Sequence, residues 1–169
     1  MHSHTDELQR SETFTWADPG PVLARAASMS GLEVMQALVD GELPPPPIAA
    51  LMKFTAIRAE VGTVVFECTP SQAHYNPIGT VHGGLACTLL DTIVGCAAQT
   101  TLPAGTGYTS IDINVSYLRT ILDTSGPLIA TGQVTKTGSR VIFAEGSIVD
   151  NQGRLVATAT SSLLVIAPR

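Results

Sequence analysis

One carboxylate, Asp91, stands inside a run of apolar and small residues, Gly83-Gly84-Leu85-Ala86-Cys87-Thr88-Leu89-Leu90-Asp91-Thr92-Ile93-Val94-Gly95-Cys96-Ala97-Ala98. Length and composition predict a buried helix, and a lone carboxylate there is costly unless it is paired, hydrogen-bonded or catalytic. Just upstream lies a polar, glycine-rich turn, Asn76-Pro77-Ile78-Gly79-Thr80-Val81-His82-Gly83-Gly84. A helix that starts from this turn presents unpaired backbone N–H groups and the positive end of its dipole. Such a terminus can hold negative charge that develops on an oxygen. A carboxylate together with oxyanion donors is the equipment of acyl transfer.

The elements that must position these groups follow from periodicity. Residues 1 to 25 are polar or broken by Pro and Gly and are expected to be loosely ordered. An amphipathic helix is predicted over 29–40, capped by Ser30, with Leu32, Met35, Leu38 and Val39 at helical spacing. Gly41 ends it, and Pro44-Pro45-Pro46-Pro47 follows as a stiff linker to a short helix over 48–52. Strands are predicted over 54–60 and 63–69, then a loop over 71–81, the apolar helix over 82–101 and a break at 103–107. Four more strands follow, over 108–119, 127–136, 141–150 and 155–166. A helix that is apolar nearly all round must be wrapped. The expected fold is therefore α+β, an antiparallel sheet of about six strands around one long central helix. Residues 1–47 form an N-terminal extension and 48–169 the main domain.

Asn76, Gly79, His82-Gly83-Gly84 and Asp91 resemble the signature of the PaaI-like hotdog-fold acyl-CoA thioesterases, and the resemblance extends over residues 50–166 in strand order and helix position. It implies the hotdog fold, hydrolysis of an acyl thioester, sites between paired subunits, and a counterpart of Asn76 inside the site. It also points to Thr109 and Ser110, on the strand after the helix, where relatives carry a hydroxyl that assists the acid and its water. Ser110 fits best by its Ser-x-Asp context. Gly95 stands where some hotdog thioesterases have a hydroxyl residue.

Helical rise separates Gly83 from Asp91 by roughly 12 Å, whereas attack requires reacting atoms about 3 Å apart. If both serve one reaction, the second comes from another copy of the chain, so a homodimer with two interfacial sites is expected, and a homotetramer as a dimer of dimers. The Gly83 N–H would polarise the thioester oxygen; Asp91 would attack the carbonyl or activate a water. His82 orients the loop or contacts the thioester, beside Gly84, and Asn76 positions water or thioester. Coenzyme A brings phosphate charges, for which Arg119 and Arg140 are the leading partners, ahead of Lys136 and Arg154. Gly138 would let the pantetheine arm approach the backbone. Tyr108 and Tyr117 would shape a pocket for a medium-chain or aromatic acyl group.

Other chemistries lack support. The net charge is −5, so nucleic-acid binding has no electrostatic basis. Cys68, Cys87 and Cys96 form no CxxC pair and read as reduced thiols; Cys87 lies one turn before Asp91, whose charge opposes thiolate formation. His74 and His82 find no further metal ligands at useful spacing, and G-x-S-x-G is absent. No resident cofactor is expected; coenzyme A enters as part of the substrate. The N-terminus has no apolar export core and no run is long enough to span a membrane, so a cytoplasmic protein is expected. Two rival readings remain: a hotdog dehydratase acting on acyl thioesters, and a non-catalytic acyl-CoA-binding module.

Overall fold

The structure, a computed structural model, describes residues 9–167. Three helices lead the chain: α1 (Pro19–Ala26), α2 (Gly31–Val39) and α3 (Pro47–Met52). Then come β1 (Phe54–Glu60), β2 (Thr63–Cys68), the long helix α4 (Gly83–Gln99), β3 (Gly107–Tyr117), β4 (Leu128–Thr137), β5 (Val141–Val149) and β6 (Leu155–Ile166). The six strands form one antiparallel sheet in the order β1-β2-β4-β5-β6-β3. The expected strands and central helix are all present, with ends displaced by no more than two residues.

The sheet curls around α4 because α4 offers it an apolar surface. Leu89, Leu90, Ile93, Val94, Ala97 and Ala98 are fully buried, and they meet Val64, Leu128, Ala130, Ile142, Ile148 and Leu163 from the strands. Each large side chain buried this way contributes about 1.5–3 kcal/mol. The closest approach is made by a pair of glycines. Gly132 of β4 and Gly146 of β5 face each other across the ladder, and a Cβ on Gly132 would collide with the Ile93 carbonyl while one on Gly146 would touch the Ile93 and Val94 side chains at 3.0–3.3 Å. The paired glycines form a saddle on which the helix backbone rests. Gly132→Ala is expected to destabilise the fold by about 1–3 kcal/mol through overpacking, seen as a lower urea midpoint with an unchanged m-value.

The leading segment corrects one expectation. Residues 9–18 form no helix or strand, but Pro19–Ala26 is helical, with Asp18 accepting from the Gly20 N–H at 2.9 Å and prolines in the first turn. Pro-rich composition masks a helix start, since proline is tolerated at the first helical position. The first eight residues, also expected to be loosely ordered, lie outside the described residues. The α2 helix carries the capping box foreseen at Ser30, with Glu33 as its return partner, and Met35 is 1% exposed within the common core. Gly31 packs so closely on the end of α4 that a Cβ would strike the Gln99 carbonyl. The segment before the sheet is thus bound into the same core.

Candidate active site

The turn before α4 is built by its own polar side chains. Asn76 Oδ1 accepts from the backbone N–H of Ile78 at 3.1 Å and of Thr80 at 3.2 Å, and its Nδ2 donates to Thr80 Oγ1 at 2.9 Å. Gly79, at φ +80°, lets the chain reverse. Asn76 therefore holds the loop first, and of its four hydrogen-bonding positions one Nδ2 hydrogen is left for a ligand. His74 ties this loop to α3: its Nδ1 accepts from Ser71 N at 3.1 Å and its Nε2 lies 3.3 Å from the Leu51 carbonyl.

His82 is the N-cap of α4, with Nδ1 accepting from the Gly84 N–H at 2.8 Å. The ring proton of the neutral imidazole then sits on Nε2. This consumes the Gly84 amide, so Gly84 is not an oxyanion donor here. Among the described residues no acceptor meets the Gly83 N–H, which stays open at the positive end of the helix. Tyr117 covers the other side of Gly83, with its hydroxyl donating to the Gly83 carbonyl at 3.3 Å. A Cβ on Gly83 would lie 3.1 Å from the Tyr117 ring.

Asp91 departs from expectation. It is exposed, not buried, in the single chain. β2, β3, β4, β5 and β6 all pack against α4, and Asp91 lies on the part of the helix surface that they leave uncovered, next to β3. Its Oδ1 accepts a hydrogen bond from Ser110 Oγ at 2.8 Å. Sequence reasoning paired these two residues only through the resemblance; the structure joins them directly. A bulge in β3 between Ser110 and Asp112 shifts the register there. Neighbouring Thr109 is also exposed and pairs in the ladder with Leu164.

Gly95 leaves room for Tyr108: a Cβ there would fall 2.6 Å from the Tyr108 hydroxyl. Burial, then the electrostatic influence of Cys96 and Asp91, pushes that hydroxyl far above its ordinary range, so it stays protonated. Burial pushes the Cys96 thiol up to about 12, with Asp91 adding to the effect, and burial does the same to Cys68. Neither thiol is a nucleophile at neutral pH.

The basic residues divide. Arg119 shares a cavity of about 350 Å³ with Gly83 and Tyr117, and its Nη1 donates to the Leu155 carbonyl at 2.5 Å. Arg140 lies at the opposite end of the sheet, where its carbonyl accepts from Val165 N at 2.9 Å and the chain enters β5 beside Leu164, the ladder partner of Thr109. Arg154 is taken up by Asp150, through Nε at 2.8 Å and Nη2 at 2.7 Å. These bonds hold the Asp150 carboxyl below the usual carboxylate range. Gly138 serves its own turn, since a Cβ would meet the Val141 carbonyl. Its bareness is accounted for without a pantetheine arm.

Two half-sites result. Gly83, Tyr117 and Arg119 lie at one end of β3; Asp91, Ser110 and Thr109 lie towards the other. Ser110 and Tyr117 are seven residues apart on β3, roughly 20 Å or more of strand.

Residues 78–157 match the family profile of the thioesterase superfamily. Human acyl-coenzyme A thioesterase 13 is 32% identical over 108 residues, which cover 63% of this chain and 76% of that protein. The chain belongs to the thioesterase superfamily. A Halobacterium salinarum protein described as an esterase is 47% identical over 73 residues, 42% of this chain, and the match spans 46% of its own length. A phenylacetic acid degradation-related protein of Ralstonia eutropha superposes with a TM-score of 0.70 at 26% identity, covering 77% of this chain and 98% of that one. The fold is thus the hotdog fold of PaaI-like thioesterases, and the protein is a thioester hydrolase. Among the described residues no helix is long and apolar enough to cross a membrane.

Proposed function

We propose that the chain hydrolyses acyl-CoA thioesters to a free acid and coenzyme A, at sites made jointly by two subunits. The observation that carries this reading is the open Gly83 N–H at the start of α4, eight residues before a carboxylate already oriented by Ser110. The name of the human relative supports coenzyme A as the carrier.

The thioester oxygen sits at the Gly83 N–H, which stabilises the tetrahedral oxyanion where the helix dipole is positive. Asp91 of the other subunit acts through Oδ2, the oxygen that Ser110 leaves free. It either attacks the carbonyl carbon or removes a proton from the water that does. Collapse of the oxyanion breaks the carbon–sulfur bond and the CoA thiolate leaves; in the first case water then hydrolyses the acyl–Asp91 anhydride to the free acid, and in the second the proton held by Asp91 passes to the thiolate or to solvent. Arg119, in the cavity beside Gly83, meets the coenzyme's phosphates, and Arg140 meets them from the Asp91 side. His82 and Asn76 keep the loop in shape; the Nε2 hydrogen of one and the spare Nδ2 hydrogen of the other face ligand.

The pairing surface has its own support. β3 is an edge strand of 11 residues with one side unpaired, the kind of edge that proteins cover. Ile111, Tyr117 and Leu118 on and beside it are 57%, 56% and 49% exposed. A homodimer joined along β3 covers them, and a homotetramer would pair two such dimers.

The test is thiol release from a panel of acyl-CoAs with short, long, aromatic and hydroxylated acyl groups. Hydrolysis of at least one member is expected. CoA esters that bind without release would point instead to an acyl-CoA-binding module. Within the same assay, Ser110→Ala is expected to lower kcat by about tenfold with KM nearly unchanged, because an orienting hydrogen bond of about 1–2 kcal/mol is lost from the charged acid.

A further inference from the structure

A second cavity, of about 530 Å³, opens on the other side of the α4 N-terminus. His82 and Gly84, the residues flanking Gly83, line it, and Leu85 and Thr88 continue the lining along the helix. Leu51, Met52 and Tyr75 give it a mainly apolar lining. Its remaining wall comes from far away in the sequence: Glu12 and Phe14. Phe14 is half-buried, whereas every other residue from 9 to 20 is exposed. An extended strap that shields a single aromatic side chain has a reason to lie where it does.

The strap is pinned on both sides of Phe14. Arg10 Nη1 donates to Gln72 Oε1 at 2.9 Å. The Glu12 carboxylate pairs with the ammonium of Lys53, which also donates to Ser71 Oγ at 3.2 Å. Beyond Phe14, Thr15 and Trp16 share a smaller cavity with Pro44, Pro45 and Ala50. Lys53 closes α3 in the left-handed region at φ 54°, the only non-glycine residue with positive φ among those described. That position favours glycine or asparagine; a lysine there supplies the amine that holds Glu12 and Ser71.

The open amide of Gly83 thus separates two different spaces. On one side is the cavity with Arg119 and Tyr117, suited to a charged coenzyme arm. On the other is the apolar cavity roofed by the strap. We propose that residues 10–16 form a fixed wall of the acyl subsite and that Phe14 limits the length of the apolar acyl group that is hydrolysed. Phe14 is here a specificity-determining residue and Lys53 a positioning residue that acts through Glu12. This inference rests on the thioesterase reading above.

The experiment compares kcat/KM for straight-chain acyl-CoAs of increasing length in the wild type, Phe14→Ala, Phe14→Trp and Lys53→Ala, with thermal unfolding recorded for each. A hydrophobic pocket discriminates one methylene by about tenfold or more. Phe14→Ala is therefore expected to raise the ratio of long-chain to short-chain kcat/KM by at least about tenfold. Phe14→Trp shifts the optimum towards shorter chains, and Lys53→Ala loosens the strap and broadens the profile in the direction of Phe14→Ala. Phe14 lies in an exposed strap, so unfolding of its variants stays near wild type; the length profile, not overall activity, is the readout. Hydrolysis with the same length profile in both Phe14 variants overturns the wall while leaving the thioesterase reading intact. Absence of hydrolysis by the wild type overturns both.

Discussion

Asp91→Asn lowers turnover by at least about two orders of magnitude, the scale of losing a general base or carboxylate nucleophile, and leaves the fold as it was. The second half of this expectation comes from position. Asp91 is exposed in the protomer and Ser110 donates to its Oδ1. Asparagine keeps a carbonyl oxygen to accept that same bond and loses only the charge and the basicity. A substitution at an exposed site without a buried partner changes stability by about half a kcal/mol or less. The thermal midpoint of the variant therefore stays close to that of the wild type while thiol release falls. KM changes little if the carboxylate acts mainly in the transition state. Turnover within a few-fold of wild type, in a protein that releases thiol, would remove Asp91 from the reaction.

Much of this arrangement was legible in the residues, and the parts that were not share a physical cause. Strands and helices follow from apolar periodicity and from turn chemistry at Gly41, Gly62 and Gly153, each at positive φ, so the sheet and α4 emerged within two residues of their predicted ends. The Ser30 cap was readable because it is local. The exposure of Asp91 was not, because the composition of a helix states how apolar it is but not which of its residues the sheet covers. The dual duty of Asn76 was half visible: an Asn before Pro-x-Gly favours turn formation, but its partner Thr80 gave no signal of its own. The Gly132–Gly146 saddle was hidden, since each glycine reads alone as a weak strand residue until β4 and β5 are set in register. The strap was the least legible of all. Glu12, Phe14 and Lys53 are ordinary residues in the sequence, and only tertiary structure brings them to one cavity.

Gly83→Pro is expected to abolish most activity by itself, and to recover some of it when mixed with Asp91→Asn. Proline at the first helical position keeps the helix start, because its φ suits that place and the amide there has no helical partner to lose. What it removes is the N–H. Loss of one oxyanion donor costs about 10²–10³ in turnover. The added ring atoms crowd Tyr117, whose ring would be 3.1 Å from a new Cβ; Tyr117 is 56% exposed and has space to move. Gly83→Ala is the control, since it makes the same contact and retains the N–H, and it keeps most of its activity. In a mixture of the two inactive chains, a heterodimer joins an intact Gly83 from one chain to an intact Asp91 from the other and leaves both groups damaged at its second site. With free exchange about half of the dimers are mixed, so about a quarter of wild-type sites return. Activity that stays at the level of the parent variants, after exchange is verified by mass-tagged subunits, would mean that each site is built within one chain. The roughly 12 Å of helix between Gly83 and Asp91 would then have to be bridged by a different carboxylate or by a water held far from Asp91. Recovery instead assigns the amide and the acid to different subunits, and makes the exposed surface around Asp91 and edge strand β3 the place where the second subunit completes the site.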